Sequence, residues 1–246
     1  MKRYIIFLVC VFAATVSVFA QSAGLNLSIG IPGGDFAKQV DRAAVGANLE
    51  IFFLQPREHF PYSFGIDLGY YNYGYQSTRG RFYDGPYSYD ADIERTNNIA
   101  RFNILFRVQP QYKNFTPYLD MFIGPSYLYT KTSITDYSTG DELTGDVNKS
   151  SWIWNYGFGG GVLIKLSGDN KGYFPPFEDI YFDLKARYNM STLGEYLTES
   201  SIKVNPSNGD IYFTSAKTTV DYISISAGVH VTFSSFIPET EETAQP

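Results

Sequence analysis

The chain has 246 residues, room for one large domain or two small ones, with 17% aromatic and 18% charged side chains. That aromatic load excludes a disordered or coiled-coil chain. Nineteen Lys and Arg against 25 Asp and Glu give a net charge of −6, the wrong sign for replacing counterions on phosphate, so nucleic acid is not an expected partner.

Met1 to Ala20 has the three parts of a secretory signal. Lys2 and Arg3 come first, an apolar run from Tyr4 to Val16 follows, and Val18-Phe19-Ala20 ends it with small side chains at −3 and −1. Cleavage after Ala20 is expected. The apolar run is shorter than the ~20 residues a membrane anchor needs. The single cysteine, Cys10, leaves with the signal, so no disulfide or thiol nucleophile is expected in the mature chain. Beyond Ala20 no apolar run approaches a membrane helix, which leaves open a barrel whose segments need only ~9–11 alternating residues.

Period-two alternation marks eight segments in chain order: 23–31, 44–54, 62–73, 98–109, 117–130, 150–166, 180–191 and 218–233. The third sets Tyr62, Phe64, Ile66, Leu68 and Tyr70 against Ser63, Gly65, Asp67 and Gly69. In the sixth, Trp152, Trp154, Tyr156, Phe158, Val162 and Ile164 oppose Asn155, Gly157, Gly159, Gly161 and Lys165. Each segment has one wholly apolar face. The connections run about 12, 7, 24, 7, 19, 13 and 26 residues, long and short in turn, as in an up-and-down barrel with one elaborated rim. The expected fold is therefore an all-β, eight-stranded antiparallel up-and-down transmembrane β-barrel over residues 21–236. A signal (1–20) precedes it, and a disordered acidic periplasmic tail (237–246) follows.

Two arrangements fit the alternation: apolar faces inward, as in a soluble calycin-like barrel, or outward into lipid. The polar faces favour lipid. They carry Glu50, Asp67, Asp120 and Asp183 against Arg101, Arg107, Lys165, Lys185 and Arg187, a near-neutral set that pairs inside eight strands, whereas a water-facing exterior would carry many more charges. These nine residues are expected to form a structural charge network plugging the lumen, with a narrow ion path as the alternative. Trp152, Trp154, Tyr127, Tyr129, Tyr70 and Tyr188 fall near the outward strand ends, where amphipathic rings favour headgroups. The inward glycines lack G-x-G-x-x-G spacing and read as room for bulky neighbours.

No catalytic, cofactor or metal site emerges. His59 lies in a short turn, His230 faces inward near the terminal end of the last strand, and no acid, histidine and nucleophile converge at the outer rim. Acidic pairs Asp90/Asp92 and Asp141/Glu142 read as loop charges.

The signal ending before Gln21, the opening strand Ala23 to Gly30 with Gly34-Asp35-Phe36 after it, Val45 to Glu50, and the closing strand Tyr222 to Phe233 resemble small outer-membrane β-barrels of Bacteroidetes-type bacteria. These belong to a broad porin-like family that includes barrel components of type IX secretion. One departure is that Phe233 is not terminal. The resemblance implies the bacterial outer membrane with both termini periplasmic, outer-membrane lipid around the barrel, and envelope protein partners met through long extracellular loops. It implies no catalytic residue. The expected role is a non-enzymatic structural, adhesion or accessory scaffold, with a narrow porin or secretion-complex subunit as one alternative and an outer-leaflet lipid enzyme as another. Loops 72–97 and 193–217 are the expected contact surfaces.

Overall fold

The computed structural model describes residues 21–40, 42–57, 59–84, 87–136, 142–167, 177–204 and 211–233. Residues 1–20, 41, 58, 85–86, 137–141, 168–176, 205–210 and 234–246, and with them the expected signal and acidic tail, lie outside the described residues.

Ten strands run through the described chain: β1 (Ser22–Pro32), β2 (Ala44–Phe52), β3 (Tyr62–Asp84), β4 (Tyr87–Val108), β5 (Phe115–Asp136), β6 (Glu142–Ser167), β7 (Phe177–Ser191), β8 (Leu193–Val204), β9 (Ile211–Thr219) and β10 (Tyr222–Phe233). A closed barrel has the order β1-β10-β7-β6-β5-β4-β3-β2, and β8 and β9 form a separate hairpin. Every ladder is antiparallel, and β1 closes on β10 from Ser22↔Thr232 to Pro32↔Tyr222. Closure removes the free edges an open sheet would leave within this ring.

The eight-stranded barrel expected from alternation is present, and the larger departures lie at the rim away from the chain ends. Segment 72–97, expected as a loop, is the outer part of the β3–β4 ladder, which continues from Gly74↔Asn97 to Asp84↔Tyr87. Segment 132–150 is mostly the outer part of β5 and β6, and 193–217 is mostly the β8–β9 hairpin. The expected eighth strand splits at Val220-Asp221. Alternation reports a boundary between apolar and polar surroundings; beyond the apolar belt both faces of a sheet lose that contrast, so the strand persists without its period-two signature. At the other rim β2 stops at Phe52, two residues early, and β5 and β7 begin at Phe115 and Phe177.

The faces sort cleanly. Leu27, Val45, Leu119, Phe64, Phe158 and Phe182 point outward, with Leu27 73% exposed and Phe158 57% exposed. Phe106, half-buried, stacks on Tyr62 on the same outer surface at 5.5 Å. Ladder partners Tyr70, Ala100, Tyr127 and Trp152 follow one another across four strands. The Tyr127 ring lies 4.8 Å from Trp152 and 5.4 Å from Tyr129. Phe60, Tyr62 and Phe106 cluster near the opposite rim, so aromatic groups bracket the aliphatic band at both ends. Inside, glycines make room: a Cβ on Gly159 would meet Arg187 Cγ at 2.6 Å, one on Gly157 the Phe122 ring at 2.6 Å, and one on Gly161 the Tyr118 hydroxyl at 2.5 Å.

Candidate functional site

Among the described residues, chemistry-bearing side chains converge in the lumen. Period-two geometry puts Asp183, Lys185 and Arg187 of β7 on one inward face. β2 presents Glu50 to them, β3 Asp67, β4 Arg101 and Arg107, and β5 Asp120. All eight side chains are at most 2% exposed. Glu50 accepts from Lys185, from Arg107 Nη2 at 3.0 Å, and pairs with Arg187 at 2.8 Å. Asp120 accepts from Arg107 Nε at 2.7 Å and from Arg187. Lys185 also donates to Asp183 at 3.0 Å. Asp67 pairs with Arg101 at 3.4 Å and Arg187 at 3.5 Å, and accepts from Asn48 and Asn103. Four carboxylates therefore face four cations, and this core carries no net charge. An isolated ion in such surroundings would cost several kcal/mol, which pairing and hydrogen bonding offset.

Lys165 does not join them. It lies nearer the terminal rim, where its ammonium is 2.9 Å from Asp179 and its side chain is 23% exposed. Its place on the inward face of β6 was legible; its distance from the middle was set by the register, which puts it opposite Tyr181 rather than the acidic layer.

Several members of the network carry no charge and escaped the sequence reading. Tyr118 donates to Asp183, and its ring lies 3.7 Å from the Arg107 guanidinium carbon, with Phe52 on the other contact at 4.5 Å. Arg101 donates to Asn189 at 2.7 Å and to the Tyr222 hydroxyl at 2.9 Å. A Tyr on the polar side of an alternating strand is the signal that would have found Tyr118.

Above the charges, on the side of the long hairpins, the lumen turns apolar. Phe36, carried on a short 3₁₀ turn (Phe36–Lys38) between β1 and β2, packs edge-on against Tyr73 of β3 at 5.6 Å and Tyr196 of β8 at 5.5 Å. Tyr71, Ile99, Leu128, Ile153, Val220 and Tyr222 complete this buried cluster. The space left beside Phe36, Ala44, Tyr71, Tyr73 and Tyr222 does not admit a water molecule. The β8–β9 hairpin is tied down by Thr192 N–H donating to the Trp154 carbonyl at 2.9 Å, and by a Lys149–Glu195 pair at 2.6 Å. At the opposite end Tyr112, from the β4–β5 connection, tucks beneath the charges. Its hydroxyl is 3.1 Å from His230 Nε2 and its ring 5.4 Å from that of Tyr181.

His230 is buried against Tyr112 and Phe52, while Ser226 is bonded to Ser28 at 2.7 Å. His59 is exposed in the β2–β3 connection. Among the described residues no three His, Cys, Asp or Glu side chains are grouped to hold a metal ion.

No family profile matches the chain. No curated protein matches it either. Solved structures do show likeness. Neisserial surface protein A is 13% identical, with 86% of this chain and 96% of that one covered at a TM-score of 0.39. Ail, the attachment invasion locus protein of Yersinia pestis, solved with the heparin analogue sucrose octasulfate, is 14% identical, covering 85% and 95% at 0.30. A major outer membrane protein from Thermus thermophilus is 12% identical, covering 86% and 98% at 0.37. Likenesses this distant do not carry a function, which has to come from the chain's own side chains.

Proposed function

We propose that the chain is a bacterial outer-membrane barrel with a closed lumen, working without catalysis as a scaffold or adhesion surface through its long hairpins, which lie outside the cell, while both barrel termini face the periplasm. The observation that carries this reading is an inversion of the usual plan: aliphatic side chains are exposed around the wall while the eight charges of the core layer, and Arg95 beyond them, are buried within it. In water such a surface would be an aggregation hazard; against acyl chains it is the low-energy choice. The aromatic groups at both rims fit the two headgroup zones. Lipid is then the first partner, and envelope proteins meeting the hairpins the second.

Conduction is the competing reading, and the lumen argues against it, since an ion would have to part both the Phe36-Tyr73-Tyr196 cap and the charge layer. Purified protein should require detergent and should migrate differently on a gel before and after heating. Solubility without detergent, with one unchanging band, would overturn the membrane assignment.

A further inference from the structure

The hairpin over the mouth is the bent continuation of a barrel ladder. β10 pairs with β7 up to Tyr222↔Asn189, and β9 pairs with β8 from Thr219↔Leu193. Between those pairs Met190, Ser191 and Thr192 face only Val220 and Asp221. One residue more on one strand than on the other is the count of a β-bulge, which bends the strand that carries it. Side chains replace the ladder at the bend. Ser191 Oγ accepts from Val220 N–H at 2.7 Å, and the Asp221 carboxylate accepts from Ser191 N–H at 3.1 Å and from the Thr219 hydroxyl at 2.9 Å. β7 follows β6 as far as Ser191↔Asn155, and there β8 leaves the wall to form a sheet of its own with β9.

Beyond the bend, the described bonds from hairpin to barrel meet at Glu195. Its N–H donates to Ser151 Oγ at 3.3 Å, and its carboxylate takes the Lys149 ammonium at 2.6 Å, both side chains of that pair being partly open to water. Tyr196, buried in the cap, shares a hydrogen bond of 2.7 Å with Thr218 of the same hairpin, so raising the hairpin costs that hydroxyl nothing. Its ring gives up only contacts with Phe36 and Tyr73. Gly194 is the seat: a Cβ there would lie 2.8 Å from Ile153 Cγ2 and 3.6 Å from Leu128 Cδ2, so a side chain at this position would keep the hairpin from lying down. We propose that the β8–β9 hairpin is a lid, hinged at Ser191-Thr192 and Val220-Asp221 and latched at Glu195, whose lifting uncovers Leu128 and Ile153. A few element-terminal residues that absorb a change of direction are what a hinge requires. Phe36, on its own turn, and the charge layer below stay in place, so the lid opens a blind apolar pocket and not a path through the lumen.

The test reads thiol accessibility in the full chain in detergent micelles, on a Cys10→Ser background so that the introduced thiol is the only one. One reporter is Leu128→Cys beneath the lid; the other is Leu105→Cys, buried in the separate cluster with Phe52 and Phe122. A small uncharged maleimide is expected to label Leu128→Cys in the folded protein and to leave Leu105→Cys unlabelled over the same time. Gly194→Val props the seat and Glu195→Gln loses the latch. At neutral pH each is expected to speed labelling at Leu128→Cys by at least about tenfold while Leu105→Cys stays inert, as a local opening requires. The unheated gel band shows whether each variant is folded; should Gly194→Val fail to give it, Glu195→Gln decides alone. Equal inertness at the two reporters in every background would overturn the proposal and make the hairpin a fixed part of the barrel. So would a rate at Leu128→Cys that the lid variants leave unchanged, or acceleration at both reporters together, which would report opening of the whole barrel.

Discussion

At the residue scale the lumen depends on Arg107. Its guanidinium serves Glu50 and Asp120 together and lies between the Tyr118 and Phe52 rings. Arg107→Ala would leave two buried carboxylates short of a partner, and removing one side of a buried pair costs about 3–5 kcal/mol. A lower midpoint for the heat-induced gel shift is the expected result. Arg107→Lys should recover only part of the loss, since an ammonium has no planar fork to give Asp120 two parallel bonds while reaching Glu50 and lying against the Tyr118 and Phe52 rings. Glycine spacing belongs to the same scale. Gly159→Val would drive a side chain into Arg187 and the neighbouring β7 backbone, and is expected to lower the yield of folded barrel recovered in detergent, where Gly160→Ala, facing outward, should be tolerated.

At the scale of elements, the hairpin β8–β9 and the turn bearing Phe36 close the mouth that the eight barrel strands leave open. Phe36→Ala would open a gap between Tyr73 and Tyr196, at about 3–5 kcal/mol for a large aromatic removed from a packed cluster. Hydrogen exchange at Leu193 to Tyr196 should rise while exchange at Leu105 stays slow. The hairpin also has a pH dependence. Lys149, donating to Glu195, holds that carboxyl below the ordinary glutamate pKa. A depressed carboxylate contributes docking stability that is fully present above the unfolded value, near 4.3, and is lost as pH falls through the folded one. Protease sensitivity of the hairpin should therefore be flat from neutral pH down to about 5 and rise in stronger acid. Glu195→Gln should abolish that step, and an unaltered acid profile in the variant would show that the pair is not its source.

For the whole molecule, the two seals act in series. The aromatic cap and the neutral charge layer occupy different heights of the lumen and share few side chains. Neither Phe36→Ala nor Arg107→Ala is expected to open a path alone, so planar-bilayer current should stay at baseline in the wild type and in both variants. Steady current through the wild-type barrel would contradict the closed lumen, and current appearing on Arg107→Ala alone would mean that the cap does not close.

Local chemistry by itself determined the barrel. Strict alternation from Tyr62 to Tyr70 or from Trp152 to Leu166 fixes which side chains share a face, because a strand repeats every two residues whatever surrounds it. For the same reason Glu50, Asp67, Arg107 and Asp183 were recognisable as one inward set. Only the tertiary structure decided how they meet. Ladder register, a property of pairs of strands, brings Arg107 to Asp120 and leaves Lys165 beside Asp179. It also took the folded chain to reveal the cap, since Phe36, Tyr73 and Tyr196 are far apart in sequence and touch only because the barrel closes. The outer wall escaped the reading of alternation for a physical reason: hydrogen bonding along a backbone carries no hydropathy signature once both faces of a sheet lie in similar surroundings.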